Sequence, residues 1–447
     1  MGKQVGMISL GCSKNQVDGE VLLATLRDAG FCITNDLTQC DAVIVNTCGF
    51  VESAKKESID EILNMVDLKK NGSLKAIVVT GCLAERYQSE IQREMPEVDA
   101  VVGIGGNPQI ACVLEKALRG QPASVFPEKL ALPISGKRIQ STPKHYAYLK
   151  VSEGCDNRCS YCAIPLIRGK FRSRPLDDVV EEAKALAANG VRELIVIAQD
   201  TTRYGEDLYG KLMLPTLLNR LCELEGIHWI RVLYCYPNRI TDELLDVMAK
   251  QDKVLNYIDL PLQHCAKNVL QRMNRGGSTE QLMALIQKMR EKVPGLILRT
   301  TFICGFPGET EEEFQELAQF SKAIRFDRLG CFPYSQEEDT PAADFPDQID
   351  EEEKMRRVDI LMENQMQIMQ ELSDALLGQT LEILVDGFDE DSGMYYGRSR
   401  ADSPDVDGCV LFTATEPVET GEFVWVKITE CIGCDLCGEL VQKEAET

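Results

Sequence analysis

The chain carries three cysteines within eight residues, and their spacing constrains it more than any other feature. Cys155, Cys159 and Cys162 follow the pattern C-x3-C-x2-C. A structural zinc site normally takes four ligands, but the next cysteine or histidine along the chain is Cys222. Thiolates are also the usual ligands of iron–sulfur clusters, whereas free core cysteines do not gather in this way. The spacing therefore predicts a three-cysteine iron–sulfur site that leaves one iron open to another ligand.

The cysteine content also indicates a compartment. Eighteen cysteines in 447 residues favour a reducing environment, where they serve metal binding or catalysis rather than disulfides. No apolar run approaches the ~20 residues of a membrane span. The apolar stretch at the start of the sequence is too short for a signal peptide. We therefore predict a cytoplasmic protein without a membrane segment.

Residues 1–120 alternate short apolar runs with amphipathic segments, which indicates an open parallel α/β domain. The predicted strands are 5–10, 42–45, 76–79 and 98–104. The predicted helices are 18–29, 52–68, 84–95 and 108–118.

Each of the first three predicted strands ends in a cysteine beside a glycine; the three are Cys12, Cys48 and Cys82. Ligands of open α/β sheets bind outside the carboxyl ends of the strands, and glycine lets the backbone approach a bulky group. Three unrelated turn residues would explain the recurrence less well than a second three-cysteine iron–sulfur site. The cysteines that lack this placement are expected to be core or surface thiols; they are Cys32, Cys40 and Cys112.

A proline-containing linker is predicted at 121–144, and β/α alternation resumes over 145–335. The predicted strands are 146–151, 193–198, 229–234, 257–260, 297–303 and 328–332. The predicted helices are 176–188, 212–223, 242–250, 279–292 and 311–323. Six units suit a partial (β/α)6 barrel, whose reactive groups gather at the carboxyl ends of the strands. Cys155 follows such an end.

The remaining chain divides into an acidic, helical connector at 336–378 and a strand-rich region at 379–447. One long helix is predicted at 350–377, with Met362, Met366 and Met369 as packing residues. Short strands at 381–385, 394–398, 409–412 and 423–429 indicate a small antiparallel β-barrel. This last region holds 16 acidic and four basic residues.

These features together resemble the methylthiotransferases, radical S-adenosylmethionine (SAM) enzymes with a cluster-binding N-terminal domain and a C-terminal TRAM domain. The resemblance covers essentially the whole chain, and its details are similar to the RimO-type branch, which modifies ribosomal protein S-twelve. The matching stretches are 9–15 (SLGCSKN), 45–50 (VNTCGF), 81–87 (GCLAERY), 162–170 (CAIPLIRGK), 198–205 (AQDTTRYG), 261–264 (PLQH) and 299–309 (RTTFICGFPGE).

The resemblance implies two 4Fe-4S clusters with different tasks. The cluster on Cys155, Cys159 and Cys162 would bind SAM on its open iron and yield a 5′-deoxyadenosyl radical. The cluster on the three N-terminal cysteines would carry an extra sulfur, which a first SAM methylates. The radical from a second SAM would take hydrogen from the β-carbon of an aspartate, which then accepts the methylthio group. Because the cofactors supply this chemistry, no catalytic residue beyond the cluster ligands is predicted.

Contacts to SAM are predicted at residues near the cluster loop and the strand ends. Tyr161 is a candidate for the adenine, although a structural role is equally compatible with its position. Gln199 is expected to meet the methionine amino group. Thr301, Gly305 and Phe306 lie on or just past the fifth barrel strand.

The basic run at 167–174 has two interpretations: pairing with carboxylates of SAM or of the substrate, or a solvated start of a helix. None of the three histidines is a convincing ligand. Near the C-terminus, Cys431, Cys434 and Cys437 read C-x2-C-x2-C, which differs from the family pattern. Chance substitution in a terminal strand explains this motif better than a third metal site, because the usual ferredoxin continuation is missing.

The net charge of the chain indicates which kind of molecule accepts the methylthio group. A net charge of −23 argues against tight binding of RNA, which requires basic residues, and favours a basic protein such as ribosomal protein S-twelve. The closest rival is methylthiolation of an adenosine in transfer RNA; a non-enzymatic iron–sulfur carrier is a second. A flavodoxin-like reductant and a sulfur donor are expected partners, whereas the oligomeric state has no sequence correlate.

Overall fold

The computed structural model describes residues 2–72, 74–433 and 435–442. Within these residues the strands form two parallel sheets, a two-stranded antiparallel sheet and a closed barrel. The predicted α/β class with a small terminal β-barrel is therefore confirmed. No helix in these ranges is long and apolar enough to cross a membrane.

The first sheet is built from strands that helices connect. Its elements along the chain are β1 (Gln4–Ser9), α1 (Ser13–Asp28), β2 (Cys32–Ile33), β3 (Ala42–Thr47), α2 (Glu52–Lys70), β4 (Ala76–Gly81), α3 (Cys82–Glu94), β5 (Ala100–Val101) and α4 (Ile110–Ala117). The strand order is β2-β1-β3-β4-β5. In register, Val45 lies between Ile8 and Val79. The ends of β1, β3 and β4 therefore stand side by side.

Two details of this sheet differ from the expectation. β2 has only two residues, too few to leave a recognisable pattern. β5 also has two residues, because the chain turns at Gly103 into a 3₁₀ segment, Ile104–Gln109, that contains Pro108. β3 and β4 are buried along their whole length, as expected for central strands of a parallel sheet that is covered on both faces.

The second sheet runs through the middle of the chain. Its region contains β6 (Tyr146–Lys150), β7 (Ser152–Glu153), α5 (Ile164–Arg168), β8 (Arg172–Ser173), α6 (Leu176–Ala188), β9 (Glu193–Ile197), α7 (Glu206–Tyr209), α8 (Leu214–Cys222), β10 (Trp229–Val232), α9 (Asp242–Lys250), β11 (Val254–Asp259), α10 (Lys267–Arg272), α11 (Thr279–Lys292), β12 (Ile297–Cys304), α12 (Glu311–Ile324) and β13 (Arg328–Pro333). The order β6-β9-β10-β11-β12-β13 follows the chain. Since β6 and β13 are not paired, the six β/α units form an open barrel.

The C-terminal part begins with a long helix and ends in the closed barrel. Its elements are α13 (Glu351–Asp374), β14 (Thr380–Asp389), β15 (Met394–Arg398), β16 (Val410–Thr413), β17 (Phe423–Ile432) and β18 (Asp435–Val441). The sequence did not indicate β18, which closes the barrel between β16 and β17.

The methionine face predicted for α13 is a partial error. Met366 is 60% exposed, and the residues that α13 buries include Val358, Leu361 and Ile368. Met362 contacts the central core from its edge. The apolar stripe of this helix thus lies one position away from the methionines.

Ion pairs join the N-terminal sheet to the segment that follows the open barrel. The buried carboxylate of Glu337 contacts Lys55 at 3.2 Å and Arg86 at 2.9 Å. Tyr87 donates a hydrogen bond to Glu338 at 3.1 Å. These contacts hold the carboxyl-end edge of the first sheet against the open barrel.

Candidate active site

Cys12, Cys48 and Cys82 are hereafter called the N-terminal cysteines. Cys48 and Cys82 follow β3 and β4 directly, and Cys12 comes three residues after the end of β1. A close approach brings the first two together: a Cβ built on Gly11 would lie 2.7 Å from Cys48 Sγ. Gly11 also has a φ of 84°, a conformation that side chains disfavour. The sequence therefore needs glycine at this turn for the strand ends to converge.

Cys155, Cys159 and Cys162, hereafter the barrel cysteines, lie in the loop between β7 and α5. Gly154 begins this loop with a φ of 72°, and a Cβ there would come within 2.2 Å of the Lys170 carbonyl. The middle of the loop is fixed by Ser160, whose hydroxyl donates to the Arg272 carbonyl at 2.7 Å. The loop conformation is thus set by contacts at both of its ends and by α10.

All six cysteines line one cavity, hereafter the six-cysteine cavity, of about 360 Å³. It lies between the carboxyl ends of the strands of both parallel sheets. Its wall also includes Lys14, Tyr161, Gln199, Tyr234 and Thr301. A neighbouring groove of about 350 Å³ shares Phe50, Tyr161 and Thr301 with it and continues to Phe332 and Tyr334. The structure thus joins two distant cysteine motifs into one site.

The donor set of the cavity fits two iron–sulfur clusters. Within the ranges that the structure covers, no three His, Cys, Asp or Glu side chains are close enough to hold a single metal ion. One ion holds all its thiolates at ~2.3 Å, whereas a cluster binds each thiolate to a different iron and spreads them further apart. The side-chain oxygen of Gln199 is buried and has no hydrogen-bond partner among the described residues. Because Gln199 belongs to the cavity wall, this acceptor fits a donor such as an amino group.

Arg168 lies beneath the N-terminal cysteines and is almost completely buried. Its guanidinium is 3.2 Å from Cys82 Sγ and 3.1 Å from Asn15 Oδ1. It also pairs with the carboxylates of Asp18 and Glu153. This network connects α1, α3 and the loop of the barrel cysteines. Within the basic run at 167–174, Arg168 is therefore paired with carboxylates of the protein itself.

The environment changes the acidity of the N-terminal cysteines in different directions. Burial raises the pKa of Cys82 to about 12, although Arg168 opposes this rise. Burial also raises the pKa of Cys48. Desolvation acts in the same sense at Cys12, but the charges of Lys14 and Arg168, together with hydrogen bonds from the Asn15 and Lys14 amides, outweigh it and lower the pKa of the thiol below its ordinary value. Cys12 is therefore the most readily ionised of the three.

Burial raises the pKa of Cys155 to about 11 and that of Cys162 to about 12. Iron binds thiolates, so loading these sites must release protons. Arg275 lies in the same group of residues: its guanidinium is 3.6 Å from Cys159 Sγ and 3.4 Å from the Tyr161 hydroxyl. Its charge is placed to stabilise thiolates that the apolar surroundings disfavour.

The predicted SAM contacts divide into two groups. Tyr161, Gln199 and Thr301 line the six-cysteine cavity. Gly305 and Phe306 do not belong to its wall. A Cβ on Gly305 would lie 2.3 Å from Lys354 Cγ, so the glycine accommodates α13. Phe306 is fully buried behind Tyr161, with ring centroids 6.5 Å apart.

The polar wall residues that sequence reasoning missed include Lys14, Gln263 and Arg275. Lys14 belongs to the motif around Cys12, which could have drawn attention to it. Arg275 follows α10, a helix that the sequence pattern did not indicate. Only the folded chain brings it to the barrel cysteines.

The C-terminal cysteine motif does not form a three-thiol site in the described residues. Cys431 pairs with Leu436 across β17 and β18, and Cys437 pairs with Glu430. Because side chains alternate along a strand, Cys431 and Cys437 point to opposite faces. The Cys431 thiol donates to the Ser373 carbonyl at 3.2 Å. Cys434 lies outside the described residues.

His264 is fully buried and remains without a ligand role. Its Nδ1 accepts a hydrogen bond from the Ala266 amide at 3.0 Å. Burial, and then the charges of Arg272 and Arg357, lower the pKa of His264 to about 3. The imidazole is therefore neutral and serves the packing of this loop.

Comparison with known families divides the chain in three. Residues 149–321 match the Radical SAM superfamily, 4–103 match the uncharacterized protein family UPF0004, and 377–441 match the TRAM domain. Among solved structures, the radical SAM methyltransferase TsrM from Kitasatospora setae, with cobalamin and a [4Fe-4S] cluster bound, superposes with a TM-score of 0.58. At 15% identity over 76% of this chain and 77% of that one, this likeness shows the fold.

Curated relatives are much more similar. A protein of Desulforamulus reducens named ribosomal protein uS12 methylthiotransferase RimO is 49% identical over 98% of this chain and 99% of its own. The protein of the same name from Clostridioides difficile is 46% identical over 99% of this chain and 100% of its own. The family suggested by the motifs is thereby confirmed. Because the identity extends over nearly the full length of both relatives, this chain belongs to the RimO family of radical SAM methylthiotransferases.

Proposed function

We propose that this enzyme inserts a methylthio group at the β-carbon of one aspartate of ribosomal protein uS12. The observation that carries the proposal is the six-cysteine cavity, which gives a radical source and a sulfur source one common space. Transfer of a short-lived radical requires the reacting groups to be held in near contact. The names of the relatives that match over nearly their full length support uS12 as the acceptor.

Two groups of residues would hold the cofactors. The barrel cysteines would hold a 4Fe-4S cluster with SAM on its open iron, and the N-terminal cysteines a second 4Fe-4S cluster that carries the sulfur. When bound, these groups supply the electron, the methyl group and the sulfur for the transfer. The protein contributes position, charge and exclusion of water.

Residues of the cavity wall would orient SAM. The unpartnered oxygen of Gln199 accepts from the methionine amino group, while its Nε2 donates to Glu153 at 3.4 Å and so fixes the side chain. Tyr161 and Thr301 border the space on the side of the barrel cysteines. Gly305 and Phe306 then act indirectly, by supporting Tyr161 through the Phe306 ring.

The acidic C-terminal barrel supports a basic protein as the acceptor. Part of its charge is used within the molecule: Asp386 pairs with Arg398, and Asp402 with Arg328. Other carboxylates remain exposed, among them Asp389, Glu390 and Asp391 on the turn after β14. Such a surface attracts basic proteins and repels the phosphates of RNA. A flavodoxin-like protein as the reductant, and sulfide or a persulfide carrier as the sulfur donor, complete the set of partners.

Mass spectrometry tests this function. Enzyme with reconstituted clusters is incubated with dithionite, sulfide, SAM and an equimolar mixture of uS12 and transfer RNA. We expect one methylthio group on an aspartate of uS12 and none on the RNA. Modified adenosine in the RNA, or unmodified uS12 while SAM is cleaved, would contradict the proposal.

A further inference from the structure

Lys14 is a second distinctive feature of the six-cysteine cavity. It is the second residue of α1, and its side chain belongs to the cavity wall. The ammonium nitrogen lies 3.2 Å from the centroid of the Tyr234 ring, which follows β10. Only 7% of the residue is exposed. A cation from the N-terminal domain is thus held over the strand ends of the barrel.

Burial opposes a cation at this position, whereas the Tyr234 side chain and the Cys12 thiol favour it. The N-terminus of a helix carries a partial positive charge, and the first turn of α1 has no acidic residue. A buried charge also costs free energy unless an opposite charge accompanies it. Yet no ion pair of Lys14 occurs in the part of the chain that the structure describes. The Tyr234 ring attracts the ammonium group but does not neutralise it.

The neighbouring carboxylates are already engaged. Asp259, whose charge acts on Lys14, accepts hydrogen bonds from Arg299 and from the Tyr234 amide, each at 3.0 Å. Among the described residues of the cavity wall there is no Asp or Glu at all. The other buried cations there have fixed partners: Arg168 binds Asp18 and Glu153, and Arg275 donates to the Pro261 carbonyl at 2.7 Å. Lys14 is therefore the buried cation of this wall that has neither a carboxylate nor a carbonyl partner among the described residues, and it is available to an anionic ligand.

We propose that Lys14 binds the side-chain carboxylate of the acceptor aspartate. The proposal rests on the function proposed above and names the residue that selects an acidic side chain. An ammonium group forms charge-assisted hydrogen bonds to a carboxylate, and in an aspartate the carboxylate is attached directly to the β-carbon. Binding at Lys14 thus fixes that carbon between the two groups of cysteines. The same contact excludes neutral side chains and RNA bases, which would leave the cation unpaired.

The rival role for Lys14 is that of a counter-charge to the cluster on the N-terminal cysteines, since Cys12 is two residues away. Two readouts separate these roles. If Lys14 contacts the acceptor, changing Lys14 weakens the binding of uS12 only when the acceptor side chain is acidic. If Lys14 is a counter-charge to the cluster, changing it lowers the iron content of the enzyme instead.

The test is a double-mutant cycle on binding. Reconstituted wild-type enzyme and Lys14→Met are titrated, without reductant, with uS12 that carries either the acceptor aspartate or asparagine in its place. We expect the wild type to prefer aspartate about tenfold or more, as for a charged hydrogen bond. Lys14→Met should bind both forms alike, and Lys14→Arg should retain a preference for aspartate. Lys250→Met, an exposed change at the end of α9, is the matched control.

The outcomes separate the inference from the function on which it rests. A Lys14→Met enzyme that keeps the wild-type preference for aspartate would overturn the inference. So would a loss of iron from Lys14→Met relative to Lys250→Met, because it would assign the residue to the cluster. Wild-type enzyme that neither binds nor modifies uS12 would overturn the proposed function together with the inference.

Discussion

At the scale of single residues, glycine and arginine decide whether six thiols can share a cavity. Gly11 allows Cys12 and Cys48 to approach each other, and Arg168 puts a positive charge next to Cys82. Neither residue is a ligand. Both act on the space and the charge around the ligands, which is how a protein tunes a metal site beyond its first ligands.

A substitution at Gly11 tests the role of that approach. Gly11→Ala would put a Cβ 2.7 Å from Cys48 Sγ in a backbone conformation that alanine disfavours. We expect iron after reconstitution to fall from about eight to about four atoms per chain, because the cluster proposed for the N-terminal cysteines would be lost. Gly136→Ala, whose Cβ would meet only Val21 at an ordinary 3.7 Å, should retain wild-type iron. Equal iron in both variants would show that the approach is dispensable.

The free energy of unfolding should depend on pH through the buried carboxyl group of Glu309. Burial raises the pKa of Glu309 to about 7, although Arg357 at 2.9 Å opposes the rise. Between its ordinary pKa of 4.5 and that value the folded chain binds more protons than the unfolded chain, so stability falls as pH rises through this window. The free energy of unfolding of the wild type should fall by about 3 kcal/mol relative to Glu309→Gln.

Denaturant titrations on either side of that window measure the difference. The exposed neighbour Glu312 provides the control, since Glu312→Gln removes a carboxylate without changing a buried group. A parallel pH dependence of the wild type and Glu309→Gln would contradict the assignment.

The two groups of cysteines that line the cavity could be predicted from the sequence because both motifs have local signs: tight spacing in one, repeated strand ends in the other. Lys14 and Arg275 could not be identified as wall residues in the same way. Their positions depend on how the N-terminal sheet meets the open barrel and on the path after α10. Gly305 was predicted to contact SAM, but it does not belong to the cavity wall. A glycine after a strand allows the close approach of either a cofactor or a helix, and here it is the helix α13.

At the scale of elements, the register of the strands brings the N-terminal cysteines together. β1, β3 and β4 are adjacent and in parallel register, so cysteines that lie 36 and 34 residues apart in sequence end at one edge. Of the helices that connect these strands, α2 and α3 were predicted to within two residues at each end, whereas α1 begins five residues before its predicted start. The two-residue strand β2 depends on pairing with β1, which no local pattern reveals, whereas the strand predicted at 98–104 is reduced to the two residues of β5.

The start of α12 offers a test at this scale. Thr310 accepts from the Glu313 amide at 3.2 Å, and Glu313 accepts from the Thr310 amide at 3.0 Å, which is a capping box. Thr310→Ala should lower the free energy of unfolding by about 1 kcal/mol. Thr310→Ser keeps the hydroxyl and should stay close to the wild type. A similar loss in both variants would mean that the methyl group, and not the cap, stabilises this end.

At the scale of the whole molecule, the two sheets meet through their carboxyl-end edges, and the C-terminal barrel packs against the opposite side of the open barrel. Tyr148 donates to Asp405 at 3.1 Å, and Tyr257 to Asp407 at 2.7 Å. The net charge of the barrel was evident from composition. Which of its carboxylates are used internally became clear only from these contacts.

The exposed turn after β14 predicts a kinetic effect on the partner. Neutralising it with Asp389→Asn, Glu390→Gln and Asp391→Asn should slow association with uS12 about tenfold at low salt and much less at high salt. The same charge change on α6, with Asp177→Asn, Asp178→Asn and Glu181→Gln, is the control. Surface plasmon resonance at two ionic strengths measures the rates. Equal slowing by both variants would mean that net charge alone, and not the barrel surface, attracts uS12.

Both cysteine groups are proposed to serve one reaction at a single aspartate in one cavity. The direct test uses uS12 that carries deuterium at the β-carbon of its aspartates, incubated with reduced enzyme, sulfide and SAM. We predict that 5′-deoxyadenosine acquires one deuterium for each methylthio group found on uS12. Methylthiolated uS12 together with deoxyadenosine free of deuterium, or deoxyadenosine formed while uS12 keeps all its deuterium, would contradict it.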